Sequence, residues 1–352
     1  MFGGVLGEAM LRSRCHAALC LTAALVLAAC RGELTQPIDG SASQPNAAAA
    51  AQAAPDAGGA PLVFRRAMDR AAPGQTTVIN GVPVRATDWP AMLVADITKV
   101  EGSKVLHLVC TATLVGPRVL LTAAHCVDSG GASGVNRVQL ELDGLTVDAV
   151  CRMHPLYAAA PYPAKATPRN SSDYALCLLA TNLQGIDAYR SLEFESVATE
   201  GAPTQIKAAL ITGYGCTKVE LDPKCDPIFG EPDTTLRAGN GVISAYPSPG
   251  AERDYIQTRS LNDKEAALCP GDSGGPLVVG ASLQDQVAKT RRVAGVNSSI
   301  AFPKCNVKDL TSRFAVLATP EFRSFLQGWI AANGQPVVCG VNQNPGVFPC
   351  RG

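Results

Sequence analysis

From residue 78 onward the chain alternates short apolar runs with glycine and proline. Residues 138–150, 206–211 and 275–279 are apolar at alternate positions or in short continuous runs bounded by turn formers, a pattern that predicts β-strands. One helical pattern stands near the end. Thr319 is placed as N-cap and Pro320 at the first helical position, Phe322, Phe325, Leu326, Trp329 and Ile330 fall on one stripe, and Asn333-Gly334 supplies the stop. The domain is therefore expected to be all-β with a C-terminal α-helix. No repeat of the solenoid or propeller kind is present.

Before residue 78 the texture differs. Arg12 and Arg14 precede an apolar run over residues 17–29, short for a membrane span and of the form of a secretory signal. The run ends in Leu27-Ala28-Ala29-Cys30, which resembles the bacterial lipobox and implies that Cys30 becomes the lipidated first residue; an ordinary signal followed by a stray cysteine is the alternative. Residues 30–77 hold alanine-rich and Pro/Gly-rich stretches without the periodicity of a core, and are expected to be a flexible tether or propeptide. Arg65, Arg66 and Arg70 near its end are either open to proteases or simply solvated.

Composition narrows the chemistry. The 352 residues carry 30 basic and 30 acidic side chains, only 17% charged in all, which argues against gripping nucleic acid or membrane by bulk charge. Thirteen cysteines point to an oxidising compartment. With Cys15, Cys20 and Cys30 assigned to the signal and anchor, ten remain, enough for five disulfides. Sequence does not fix their connectivity; pairing neighbours in order joins Cys110 to Cys126, Cys151 to Cys177, Cys216 to Cys225, Cys269 to Cys305 and Cys339 to Cys350. No Cys-x-x-Cys occurs and histidines are few, so neither a metal nor another cofactor is expected.

Of the four histidines, His16 lies in the signal. His107 sits in an apolar run as a core or edge residue, and His154, before a proline, looks like part of a turn. His125 closes Leu121-Thr122-Ala123-Ala124-His125-Cys126, beside a cysteine able to pin its loop, and is the candidate base. The candidate nucleophile is Ser273, in Cys269-Pro270-Gly271-Asp272-Ser273-Gly274-Gly275-Pro276. Serine needs a base to take its proton and N–H donors to receive the oxyanion, and the flanking glycines permit that backbone geometry.

These two motifs together resemble the trypsin-like, chymotrypsin-fold serine endopeptidases over residues 78–335, with residues 336–352 a cysteine-containing tail. The resemblance implies two six-stranded antiparallel β-barrels with the cleft between them, and implies that Asp173, in Ser172-Asp173-Tyr174, completes a triad with His125 and Ser273. The Gly271 and Ser273 N–H groups would form the oxyanion hole. The family's lysine- and arginine-binding aspartate is replaced here by Ala267, followed by Leu268, and its Ser-Trp-Gly pocket wall by Ser298-Ser299-Ile300, which implies a small apolar pocket. Residues 158–168 are expected to form a loop at the cleft rim, a substrate gate or a plain insertion.

Val78-Ile79-Asn80-Gly81 resembles the family's mature start, so cleavage before Val78 would free an ammonium to pair with Asp272. Thr77 precedes that bond, which makes a trypsin-like activator unsuitable. The expected partners are protein or peptide substrates, an activating protease and a bacterial membrane reached through Cys30, with cleavage releasing a soluble enzyme. The missing Trp-Gly pair leaves open a second reading, a protease-like binding protein.

Overall fold

The computed structural model describes residues 62–66, 78–101, 104–128, 135–158, 171–201, 204, 206–232, 235–247, 255–343 and 350. The signal, Cys30, most of the tether and the rim loop after residue 158 lie outside the described residues.

The described strands run β1 (Leu62–Arg65), β2 (Val82–Pro83), β3 (Met92–Glu101), β4 (Lys104–Gly116), β5 (Val119–Thr122), β6 (Val135–Leu142), β7 (Leu145–Met153) and β8 (Ala175–Leu179). They continue as β9 (Ala208–Gly213), β10 (Val219–Leu221), β11 (Pro227–Phe229), β12 (Arg237–Ala245), β13 (Tyr255–Leu261), β14 (Pro276–Val279), β15 (Arg292–Ala301) and β16 (Asp309–Val316). The first barrel closes in the order β1-β3-β4-β5-β8-β7-β6. In the second, β13-β16-β15-β14-β9-β12 closes through a β12–β13 pairing, and β2 adds to the edge of β12.

The fold is thus the expected pair of barrels, with one difference. The first barrel has a seventh strand, β1, and it comes from the segment read as a spacer. Four residues in a Pro/Ala-rich stretch are too few to show a period, yet Phe64 is wholly buried among Leu93, Leu114, Leu140 and Val147.

Residues 138–150 fold as the β6–β7 hairpin around Asp143-Gly144, with φ of +46° and +90°, values suited to a two-residue turn that follows the strand twist. Val138, Leu140, Leu142, Val147, Ala149 and Met153 alternate inward from it. The C-terminal helix, Pro320–Ala332, forms as its pattern predicts: Thr319 Oγ1 accepts the Phe322 N–H at 3.1 Å, and Phe322, Leu326, Trp329 and Ile330 are buried. That stripe packs against Val119, Leu121 and Leu176 of the first barrel and Val293, Val296 and Ala315 of the second, one apolar cluster spanning both. Beside it, a fully buried Arg291 makes a two-pronged contact with Glu195 at 2.6 and 3.1 Å and stacks on Trp89, 4.1 Å from the ring centre.

Three disulfides pair as neighbours in sequence: Cys110–Cys126, Cys151–Cys177 and Cys339–Cys350. The other two correct the expected pairing, since Cys216 joins Cys269 and Cys225 joins Cys305. Order along the chain misleads here because the segment carrying the β10–β11 hairpin lies back against the serine loop, with Cys216 N–H donating to Pro270 O at 2.9 Å. Peptide mapping without reduction is expected to recover Cys216 crosslinked to Cys269 and Cys225 to Cys305; a Cys216–Cys225 peptide would contradict this fold of the segment.

Candidate active site

The strand pairing of the first barrel delivers the histidine and aspartate side by side. His125 lies on a single helical turn, Ala124–Val127, directly after β5, and the Cys110–Cys126 disulfide ties that turn to β4. Asp173 lies just before β8, the neighbour of β5. A tight turn with Tyr174 N–H on Ser172 O at 2.8 Å holds it, and Tyr174 stands edge-on to Phe322 of the C-terminal helix.

Asp173 is fully buried. It accepts the His125 backbone N–H at 3.0 Å on Oδ1, faces His125 Nδ1 at 2.7 Å through Oδ2, and takes the Ser298 hydroxyl at 2.7 Å on the same oxygen. Burial alone would raise its pKa, but the charge of the imidazole and these hydrogen bonds outweigh it and hold the carboxyl below its ordinary value. An ionised Asp173 accepts a hydrogen bond from Nδ1–H, which leaves Nε2 as the lone-pair nitrogen.

Ser273 comes from the second barrel, on the loop before β14, and hydrogen bonds seat it against the first. Thr111 N–H donates to Ser273 O at 2.7 Å and Thr111 Oγ1 to Gly271 O at 2.8 Å. A Cβ at Gly274 would stand 2.2 Å from Thr111 O and 2.9 Å from Ala123 N, so only glycine lets the serine loop approach the strand that leads to His125. Gly271 has φ +104°, a conformation costly for other residues. Among the described residues, neither the Gly271 nor the Ser273 N–H is hydrogen-bonded within the chain.

A profile of the Trypsin family matches residues 78–319. The chain belongs to the trypsin family. Human kallikrein-11 is 30% identical over 226 residues, covering 60% of this chain and 70% of its own. Human kallikrein-4 is 26% identical over 218 residues, 60% of this chain and 76% of its own; human kallikrein-5 is 29% identical, but the chain spans only 58% of its length. Among solved structures, mouse neuropsin, a serine protease, aligns over 72% of this chain and 100% of its own with TM-score 0.44 and 17% identity.

Other residues of this trypsin-family chain make contacts that the sequence did not mark. Ser298, read as pocket wall, sits at a register break in β15 and turns its hydroxyl to Asp173, so that it positions the aspartate from the opposite barrel. Ala267, Leu268 and Ile300 are joined by residues no motif marked. Ala267 and Ile300 share an apolar cluster with Val219 and Phe229 of the β10–β11 hairpin and with Phe302, Val307 and Leu310; Leu268 packs on the other side with Val78. Ser299 Oγ is buried without a hydrogen-bond partner among the described residues.

Asn297 was also unmarked, yet its Nδ2 donates to Thr212 O at 2.8 Å and Asp272 O at 3.0 Å, bracing the serine loop from behind. His154 proves structural: buried against Tyr174 and Phe325, it accepts the Leu156 N–H, and burial lowers its pKa against the opposing pull of Glu321. His107 falls in β4, with its side chain outside the described residues. The sulfurs nearest His125 belong to the Cys110–Cys126 disulfide and carry no thiolate for a metal.

Val78 and Asp272 are both fully buried. In the uncut chain the Val78 nitrogen is an amide, and its φ of +48° is one that a β-branched residue avoids. Asp272 takes the Gly215 and Cys269 N–H groups, each at 2.8 Å. Burial pushes its carboxyl up to about 7 despite those two bonds and the charge of Arg237. A folded-state pKa above the unfolded one gives stability that is present at low pH and lost as pH rises through the folded value. Unfolding of the uncut chain, measured from pH 4 to 8, is therefore expected to show a loss approaching pH 7 on the order of a few kcal/mol. Asp272→Asn is expected to remove this pH dependence, and an unchanged slope in that variant would contradict the assignment.

Proposed function

We propose that the chain is a serine endopeptidase that hydrolyses peptide bonds of proteins through an acyl-enzyme on Ser273. The observation that carries the proposal is the 2.7 Å contact of His125 Nδ1 with the buried Asp173, beside a serine loop whose two N–H groups have no partner among the described residues. Ser273 Oγ attacks the carbonyl carbon while its proton passes to His125 Nε2, and Asp173 stabilises the imidazolium. The tetrahedral oxyanion accepts hydrogen bonds from Gly271 and Ser273 N–H. Collapse breaks the C–N bond, the amine leaves with the proton from His125, and water then hydrolyses the ester by the same route. Loss of one oxyanion donor costs on the order of 100-fold to 1000-fold in turnover.

The substrate side chain is small and apolar. No carboxylate stands at Ala267, and the cluster of Ala267, Ile300, Phe302 and Phe229 offers nothing to pair with lysine or arginine. The five disulfides fit an exported protein. Cys30 supplies a lipid anchor to a bacterial membrane, and the chain is made as a precursor activated by another protease at the Thr77–Val78 bond. Two features support that cut: breaking the bond removes the constraint that holds Val78 at φ +48°, and the freed ammonium supplies Asp272 with the countercharge a buried carboxylate requires.

Fluorophosphonate labelling combined with N-terminal mass spectrometry tests this reading. Labelled protein is expected to begin at Val78, and Ser273→Ala to abolish labelling. Labelling of chain with an intact Thr77–Val78 bond at the full rate would remove the precursor step, and no Ser273-dependent labelling at all would leave the fold to a binding role. In the pocket, Ile300→Gly is expected to shift kcat/KM toward larger apolar residues by about tenfold, the scale of one or two methylenes in an apolar pocket; an unchanged preference would displace the pocket from this wall.

A further inference from the structure

β1 lies on the N-terminal side of the proposed cut, yet it is part of the catalytic fold. Val63, Phe64 and Arg65 pair antiparallel with Asp96, Ala95 and Val94 of β3, while Leu62–Arg65 runs parallel to Val138–Glu141 of β6. Among the described residues β3 and β6 have no direct pairing, so the barrel closes only through β1. Phe64 fills the interior with no exposed surface. Outside the seam, Arg65 pairs with Asp96, and Arg66 reaches Asp143 at the β6–β7 turn at 3.4 Å.

We infer that the seam between β3 and β6 is a strand-binding site that keeps segment 62–66 in place, without a covalent link, after the chain is cut before Val78. This deepens the reading of an activating cut at that bond. Departure of β1 would open two strand edges to water and empty the Phe64 site, whereas retention keeps both edges paired and the core filled. The ligand of this seam is thus an extended segment with one large apolar side chain aimed inward and basic residues following it, and the chain carries its own copy. The cut enzyme is a two-piece molecule, and the piece that bears Cys30 remains its membrane anchor. Cleavage changes the N-terminus of the catalytic piece and leaves its location unchanged, contrary to the release that the bare sequence suggests.

The test uses the full chain, C-terminally tagged, with a site for a sequence-specific protease inserted within residues 67–77. Cutting there leaves residues ahead of Val78 and creates no Val78 ammonium, so the outcome is independent of the activation reading. After cutting and capture on the C-terminal tag under native conditions, the fragment bearing Cys30 is expected to stay through washing and to leave only in guanidinium. Cut Phe64→Asp protein is expected to lose the fragment at least 100-fold faster. Should that variant not fold, Phe64→Ala serves with an expected acceleration of at least tenfold. Escape of the wild-type fragment during native washing would overturn the inference, and so would equal retention by wild type and the Phe64 variants, because the hold would then lie outside the seam.

Discussion

Two barrels can supply halves of one site only if they meet in a single register, and here buried hydrogen bonds across the seam set that register. Thr111, on β4 of the first barrel, holds the serine loop of the second through its N–H and its hydroxyl, and accepts the Tyr214 N–H at 3.2 Å on the same hydroxyl. Ser298, on β15 of the second, reaches Asp173 of the first. Each such bond is worth only about 1 kcal/mol net, but a buried group deprived of its partner costs about 1–3 kcal/mol. A slip of one barrel past the other would orphan several at once. The apolar cluster under the C-terminal helix draws on both barrels and adds adhesion that is non-directional and proportional to buried area; the hydrogen bonds make that adhesion specific.

Asp173 and Asp272 show how environment divides labour between two buried carboxylates. Both are fully buried. Asp173 has the His125 imidazole and backbone N–H and the Ser298 hydroxyl on it, and its carboxyl lies below the ordinary value. Asp272 in the uncut chain has two backbone N–H donors and the more remote influence of Arg237, too little to offset desolvation. The first is suited to hold a cation during turnover, while the second is suited to respond to one that arrives.

The parts of the site visible in the sequence were those whose chemistry demands particular residues in close succession. Gly271 through Gly275 and Ala123 through Cys126 are such runs, and the helix over Pro320–Ala332 carries its cap, stripe and stop within one stretch. Contacts between distant segments left no local trace. Nothing in an isolated asparagine at 297 marks it as a brace for Asp272, and the orientation of Ser298 depends on a register break that only the paired strands reveal. β1 was hidden for the opposite reason, because its surroundings have the composition of a linker and four residues cannot display a period. Linear order along the chain departs from proximity for Cys216 and Cys225, because the β10–β11 hairpin folds back onto the serine loop.

That hairpin is fastened twice, through Cys216 just before it to Cys269 of the serine loop and through Cys225 in its turn to Cys305, in the turn after β15. The two fastenings differ in accessibility: Cys216 and Cys269 are buried, whereas Cys305 is exposed and Cys225 partly so. Attack by a thiol needs access to sulfur, so a weakening reductant meets the outer bond first. On the proposed reading fidelity would then fail before competence: the wall around Ala267 and Ile300 would loosen and admit a broader range of side chains, while the serine loop, still tied through Cys269, would keep its shape.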